Sequence, residues 1–502
     1  MPRILILILA ALLSAVPAVA QDSRGDLPDI GNPSSTTLSQ ADEYKIGRMI
    51  MRSLRDAGQI VEDPETNEYI QSIGSRLSSH AHEGGQRFTF FVVKDSGINA
   101  FALPGGFIGI NAGLLTATGN ESELAGVMAH EIAHVTQRHM ARSVQNAGRT
   151  NMASAAAVLA AILIGVTTGM PADVLLGTVT AAQGLAAQQQ ISFTRTNESE
   201  ADRVGMTILA NSGFDPNGMP AFFWTLQQRY GAASAAIPDL LRTHPVTTER
   251  IAETRDRADQ YERRIVADST SYGLIRERMR VQSLPPESNF RDLYADAANA
   301  DLPSSDARHY GRAIALMAAG DDESTREAVG LLSDLVERYP DVTLYHTALG
   351  RAQLLAGDLE ASRRTLERAL GLFPRNVPVT VRFAETLMRT NEPSLAHQVL
   401  LDLFNNVPPT PEQARFIALV ASAAGDTGDA YYYMSEYHVM GGDLQLAIGQ
   451  LRMALAVPGL NDVQRQRFQA RMTELEEYLP KGRKAREVAG PANPDGSASA
   501  RS

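Results

Sequence analysis

The HEIAH stretch at residues 130–134 places two histidines and a glutamate at a spacing that can do chemistry. Four residues apart on a helix, His130 and His134 differ by about 40° around the axis, so both imidazoles can reach one metal ion. Glu131 lies between them and can face a metal-bound water rather than the metal. A catalytic zinc needs a third protein ligand and an open fourth position. Downstream, NESEAD offers Glu198 and Asp202 four residues apart on one helix face. Glu198 would ligate, and Asp202 would accept a hydrogen bond from the outer nitrogen of a ligating histidine and fix its tautomer. The same pair also reads as the charged first turn of a helix, favoured by the helix dipole. Glu200, about 200° from Glu198 around the axis, reads as a solvated capping residue.

These side chains need rigid elements behind them. Ser39 with Asp42 predicts a helix start, and Gly58 its end; a second helix is expected from Pro64 to about Ser79. FTFFVV at 88–93 reads as a strand. Residues 99–115, NAFALPGGFIGINAGLL, read as a hairpin broken at Pro104-Gly105-Gly106. From Glu121 to about Ser143 the pattern is helical, with Leu124, Met128, Ile132 and Val135 on one ridge and almost no polar surface. Such a helix belongs inside a domain. Asn197–Glu200 reads as an N-cap opening a helix to Asn211, stopped by Gly213 and Pro216. Further helices are expected around 217–230 and 246–262.

The chain of 502 residues carries a net charge of −11, which disfavours nucleic acid as a partner. Arg3, the apolar run at 4–13 and Ala18-Val19-Ala20 read as a cleavable signal peptide; the alternative is an uncleaved anchor. With no cysteine there are no disulfides, so the cores must suffice alone. Export without a lipidated cysteine favours the bacterial periplasm. Residues 151–169 form an apolar run nearly long enough to span a bilayer, read either as peripheral membrane contact or as a buried or lid helix.

The C-terminal part repeats. Pro340, Pro374 and Pro408 recur at a 34-residue interval, with Ala328, Ser362 and Ala396 at a fixed distance before them. The segment 344–374 resembles the tetratricopeptide repeat. Ala418, Gly425 and Ala430 keep its frame, and 441–458 falls out of it.

The HEIAH motif, the later Glu198–Asp202 pair with Ala201, and THPVTTERI at 243–251 together resemble the zinc peptidase family that includes the CAAX prenyl endoprotease and HtpX. With the leader and the repeats, the chain is similar to a periplasmic branch of that family. The resemblance implies a mainly α fold: a helical zincin-like metallopeptidase domain with a small β-sheet, followed by an α-solenoid of tetratricopeptide repeats. It implies one zinc per chain on His130, His134 and Glu198, with Glu131 as acid/base. It implies that His244 caps the zinc as a latch or assists catalysis. By itself, a histidine before Pro245 reads more simply as a loop residue. Arg250 is either a structural partner or a stabiliser of transition-state charge. Asn99, Ala100 and Phe101 would form an edge strand that aligns substrate by β-addition. His139 is expected to point away from the metal. His80, His82, His309, His346, His397 and His438 read as surface or packing residues.

The expected organisation is a signal peptide at 1–20, a disordered segment at 21–38 and a peptidase domain at 39–264. A partly helical linker at 265–302, repeats at 303–480 and a disordered tail at 481–502 follow. The expected activity is degradation of unfolded or misassembled outer-membrane proteins and assistance to their assembly. The repeats would dock clients or the outer-membrane β-barrel assembly machinery. The rival reading is a chaperone or scaffold with a latent metal site, and a third is an integral-membrane peptidase resting on 151–169.

Overall fold

The computed structural model describes residues 39–81, 86–146, 184–230, 238–262, 266–294 and 305–478. The expected signal peptide, the 21–38 segment, the 151–169 run and the 481–502 tail lie outside the described residues.

Helix α1 (Gln40–Asp56) starts where Ser39 accepts a hydrogen bond from the Asp42 backbone, and Gly58 turns the chain at φ +69°. Helix α2 (Pro64–Ser78) is capped by Asp63, with proline in its first turn. Three strands follow: β1 (Thr89–Val93), β2 (Ala100–Leu103) and β3 (Phe107–Asn111). Their order is β1-β3-β2, with β1 parallel and β2 antiparallel to the central β3. The hairpin at Pro104–Gly106 is as expected. Gly105, at φ +81°, lies so close to the Tyr44 backbone that a Cβ would collide with it.

Strand alternation divides the sheet between two cores. Phe91, Val93, Leu103 and Phe107 pack beneath Ile50, Met51 and Leu54 of α1. Phe90, Val92, Ile108 and Ile110 face the main core on the other side. There they meet α4 (Glu121–Thr136), which follows the short α3 (Ala112–Ala117). The predicted long helix through Ser143 is in fact broken. Arg138 adopts φ +51°, and α5 (His139–Asn146) leaves in a new direction. Helix α6 runs unbroken over Gly184–Asn211, so Asn197–Glu200 is mid-helix and not an N-cap. Then come α7 (Gly218–Tyr230), α8 (Asp239–Thr243) and α9 (Thr248–Ala258).

Helix α10 (Thr270–Gln282) lies in the stretch read as a linker. It buries Tyr272, Leu274, Ile275 and Met279 in the main core, which extends into the first repeats as far as Ala352. The repeats begin as pairs: α11 (Ser305–Ala319) with α12 (Asp322–Arg338), then α13 (Thr343–Leu355) with α14 (Leu359–Leu372). Next come α15 (Val377–Arg389) with α16 (Pro393–Phe404), and α17 (Pro411–Ala423) with α18 (Thr427–Met440). Left-handed residues Gly357, Asn391 and Gly425 mark the intra-pair turns at the repeat interval. Ala328, Ser362 and Ala396 are fully buried where the helices cross, and Ser362 donates to the Gly350 carbonyl. The out-of-frame unit has a simple cause. Half a repeat after Gly425, Gly442 makes another such turn, so α18 leads straight into α19 (Leu444–Ala456), and α20 (Asp462–Glu477) ends the stack.

Candidate metal centre

Helix α4 is buried along almost its whole length, as a helix enclosed by its domain must be. Leu124, Ala125, Met128, Ala129, Ile132 and Ala133 are all fully buried. Asn120 caps it by accepting from the Glu123 backbone. Helix α6 crosses it at close range because Gly205 has no side chain. A Cβ there would stand 3.1 Å from the Ala129 carbonyl and the His130 Cα. Ala201 is fully buried on the same face. That notch carries Glu198, two turns earlier on α6, up to the histidines.

Four donors from three elements converge. Nε2 of His130 and His134 are 3.0 Å apart. Glu198 approaches each of them at 3.4 Å, through Oε2 and Oε1 respectively. His244, at the end of α8, brings Nδ1 to 3.0 Å from Glu198 and 3.4 Å from His130 Nε2. With zinc–ligand bonds of about 2.0–2.2 Å, tetrahedral donors stand about 3.3–3.6 Å apart. The set therefore fits a small divalent cation at its centre, slightly contracted. Three imidazoles and one carboxylate are also the donor types that zinc takes. Among the described residues Glu131 is 1% exposed and its Oε1 has no hydrogen-bond partner, 3.6 Å from His244 Nε2.

The supporting groups are as organised as the ligands. His130 Nδ1 lies 2.9 Å from Asp202 Oδ1. Asp202 accepts a bidentate pair from Arg250 at 2.7 and 2.8 Å. The remaining Arg250 nitrogen reaches Glu198 Oε2 at 3.0 Å and the Pro245 carbonyl at 2.8 Å, and the guanidinium lies over the Phe223 ring. All the Arg250 nitrogens thus brace carboxylates and the loop beside His244. Burial would lower the His130 pKa, but Asp202 and Glu198 outweigh it and hold it up to about 10. Burial would likewise raise Glu198, and His244 and His130 hold it well below the usual carboxylate range. The carboxylates make a field that favours positive charge at the centre.

Two expectations are corrected. His139 does not point away: its Nδ1 is 2.8 Å from His134 Nδ1. Glu200 is not a solvated cap, because it takes His139 Nε2 at 3.1 Å and Arg142 at 2.5 Å. Both errors follow from the missed turn at Arg138, since a continuous helix would put His139 on the far side. The alternative of a charged first turn for Glu198 and Asp202 also falls, because α6 begins well before them. Asn99 immediately precedes β2 and Ala100 and Phe101 open it; the strand pairs only with β3 among the described strands and runs beside α4. The Leu240 N–H of α8 donates to the Ile98 carbonyl at the head of that edge.

Residues 64–258 match the sequence model of peptidase family M48. The putative β-barrel assembly-enhancing protease of Vibrio cholerae is 32% identical, over 94% of this chain and 97% of its own length. The β-barrel assembly-enhancing protease of Escherichia coli is 31% identical, over 93% of this chain and 95% of its own. The metalloprotease YcaL of Escherichia coli is 27% identical over 44% of this chain and 82% of its own length.

Proposed function

Because the chain belongs to the M48 metallopeptidases, in the group of the β-barrel assembly-enhancing proteases, we propose that it is a periplasmic zinc endopeptidase acting on misassembled outer-membrane β-barrel chains. The observation that carries the reading is the convergence of four metal-donor side chains, with the buried Glu131 carboxylate beside them.

His130, His134 and Glu198 hold the ion. When bound, the cation supplies Lewis acidity towards the scissile carbonyl and the attacking water. Glu131 takes the proton from that water and returns it to the leaving amine. Asp202 and Arg250 keep His130 and Glu198 aligned. An extended client segment adds to the edge of β2 that no described strand covers, at Asn99, Ala100 and Phe101, main chain to main chain. Such recognition suits chains destined for β-barrels, whose backbones are extended and unpaired until assembly. The repeats dock clients or the assembly machinery on their surface. Export rests on the leader at 1–20. No described helix is long and apolar enough to cross a membrane. The integral-membrane reading and peripheral contact both rest on 151–169, and carbonate extraction tests them.

One observation favours a second reading, a scaffold with a latent site: His244 occupies the fourth donor position. The experiment compares parent, Glu131→Gln and His244→Ala on unfolded casein and in a deletion strain. The peptidase reading expects no cleavage by Glu131→Gln and faster cleavage by His244→Ala if the histidine is a latch. Full complementation by Glu131→Gln would leave the scaffold reading standing instead.

A further inference from the structure

The two zinc-binding histidines are backed in parallel ways, and only one backing belongs to the motif. His130 leads to Asp202 and then Arg250. His134 leads to His139, then Glu200, then Arg142. Each chain runs from imidazole to carboxylate to guanidinium. The second is assembled by the Arg138 turn, where φ +51° folds α5 back so that the His139 ring meets His134 edge-on at 4.7 Å. The Arg138 guanidinium holds that turn to α1 through Glu43 at 3.0 Å. Helix α6 supplies the far end. It thus contributes Glu198 to the centre, Asp202 to one histidine's support and Glu200 to the other's.

Proton positions follow from the partners. A carboxylate only accepts, so His139 Nε2 carries the proton given to Glu200. A neutral His139 then has a bare Nδ1, which must accept from His134 Nδ1–H. His134 Nε2 is left bare and faces the centre. We propose that His139 is a positioning residue, locked by Glu200, that fixes the tautomer and ring orientation of His134 for metal binding. The inference rests on the metallopeptidase reading above. It adds a residue that the HEIAH and NESEAD patterns do not contain.

The test uses the full mature chain, stripped with a chelator and titrated with zinc against a chromophoric competitor. His139→Leu removes the acceptor and is expected to weaken zinc binding about 10–100-fold. His139→Asn places a carbonyl oxygen near the lost Nδ1 and is expected to recover most of that affinity. Glu200→Gln, at a partly exposed position, can donate as well as accept, so the tautomer is no longer imposed. It is expected to lose several-fold in affinity while leaving the melting temperature of the metal-free protein unchanged. Nitrogen-15 spectra of labelled histidine should show His134 protonated at Nδ1 in the parent. Leucine and asparagine variants with equal zinc affinity, or a Glu200→Gln variant indistinguishable from the parent, would overturn the proposal. A parent that binds no zinc overturns the metallopeptidase reading itself, and this inference with it.

Discussion

Among the described residues, two buried clusters of charged side chains are built on opposite rules. One joins the peptidase part to the repeats. Arg278 of α10 makes a bidentate pair with Asp63, reaches Glu65 at 3.0 Å, and donates to the Tyr310 hydroxyl. Arg382 of α15 makes its own bidentate pair with Glu65 at 2.9 and 2.7 Å. Two acids meet two arginines, and every charge has its opposite. The other cluster is the metal centre, where imidazole nitrogens face one another and Glu131 keeps an oxygen free. Its own Arg250 answers Asp202 and Glu198, yet three imidazoles and the Glu198 carboxylate still converge on one point. A buried ion cluster whose members pair off acts as a staple; one whose donor atoms converge on a common point is a candidate site. A third group obeys the first rule. His397, Asp426 and Asp429 lie together, but Arg467 pairs with Asp429 and Gln464 donates to Asp426.

The comparison predicts that function and stability can be broken separately. The largest effect belongs to the site. Glu131→Gln is expected to lower kcat about 10²–10⁴-fold, with the melting temperature of the zinc-loaded protein unchanged by calorimetry. Arg278→Ala is expected to do the reverse. It takes the bidentate partner from buried Asp63, leaves Glu65 to Arg382 alone, and should cost about 3–5 kcal/mol in urea unfolding, while the folded fraction keeps the parent's kcat. Comparable losses of stability in both variants would erase the distinction.

Gly205→Ala sharpens it from a third side. The added methyl presses on the Ala129 and His130 backbone, and crowding of this kind costs about 1–3 kcal/mol. It should also push Glu198 from the histidines, so zinc affinity falls together with stability. The smallest effect is that of pH. Burial would raise the Asp63 carboxyl, but Arg278 and Arg382 outweigh it and hold it below the usual range. A depressed carboxylate stabilises the fold above its unfolded value of about 3.9 and loses that contribution only as pH falls lower. The staple should therefore hold steady between pH 8 and 5. Zinc, which competes with protons for histidine, should bind progressively more weakly over the lower half of that range.

Much of this was legible in the residues. HEIAH sits on a buried helix, Glu198 meets it, Asp202 stands behind His130, and the 34-residue repeat follows. What escaped notice has physical reasons. The turn at Arg138 uses a left-handed residue that is neither glycine nor asparagine, so no composition signal marks it. The full length of α6 was hidden because Asn197 imitates a cap although it lies within the helix. Gly205 carries a helix crossing, yet an isolated glycine inside a helix pattern reads only as a weak point. The Arg278–Asp63 staple spans 215 residues of sequence, beyond what local periodicity can report. The half-repeat slip at Gly442 was visible only as a lost frame.

The most direct test of the account is anomalous diffraction at the zinc edge from crystals of the protein. It predicts one strong peak, about 2.0–2.2 Å from His130 Nε2, His134 Nε2 and a Glu198 oxygen. No peak among those atoms in zinc-supplemented crystals, or a peak only at His397 and Asp429, would contradict it.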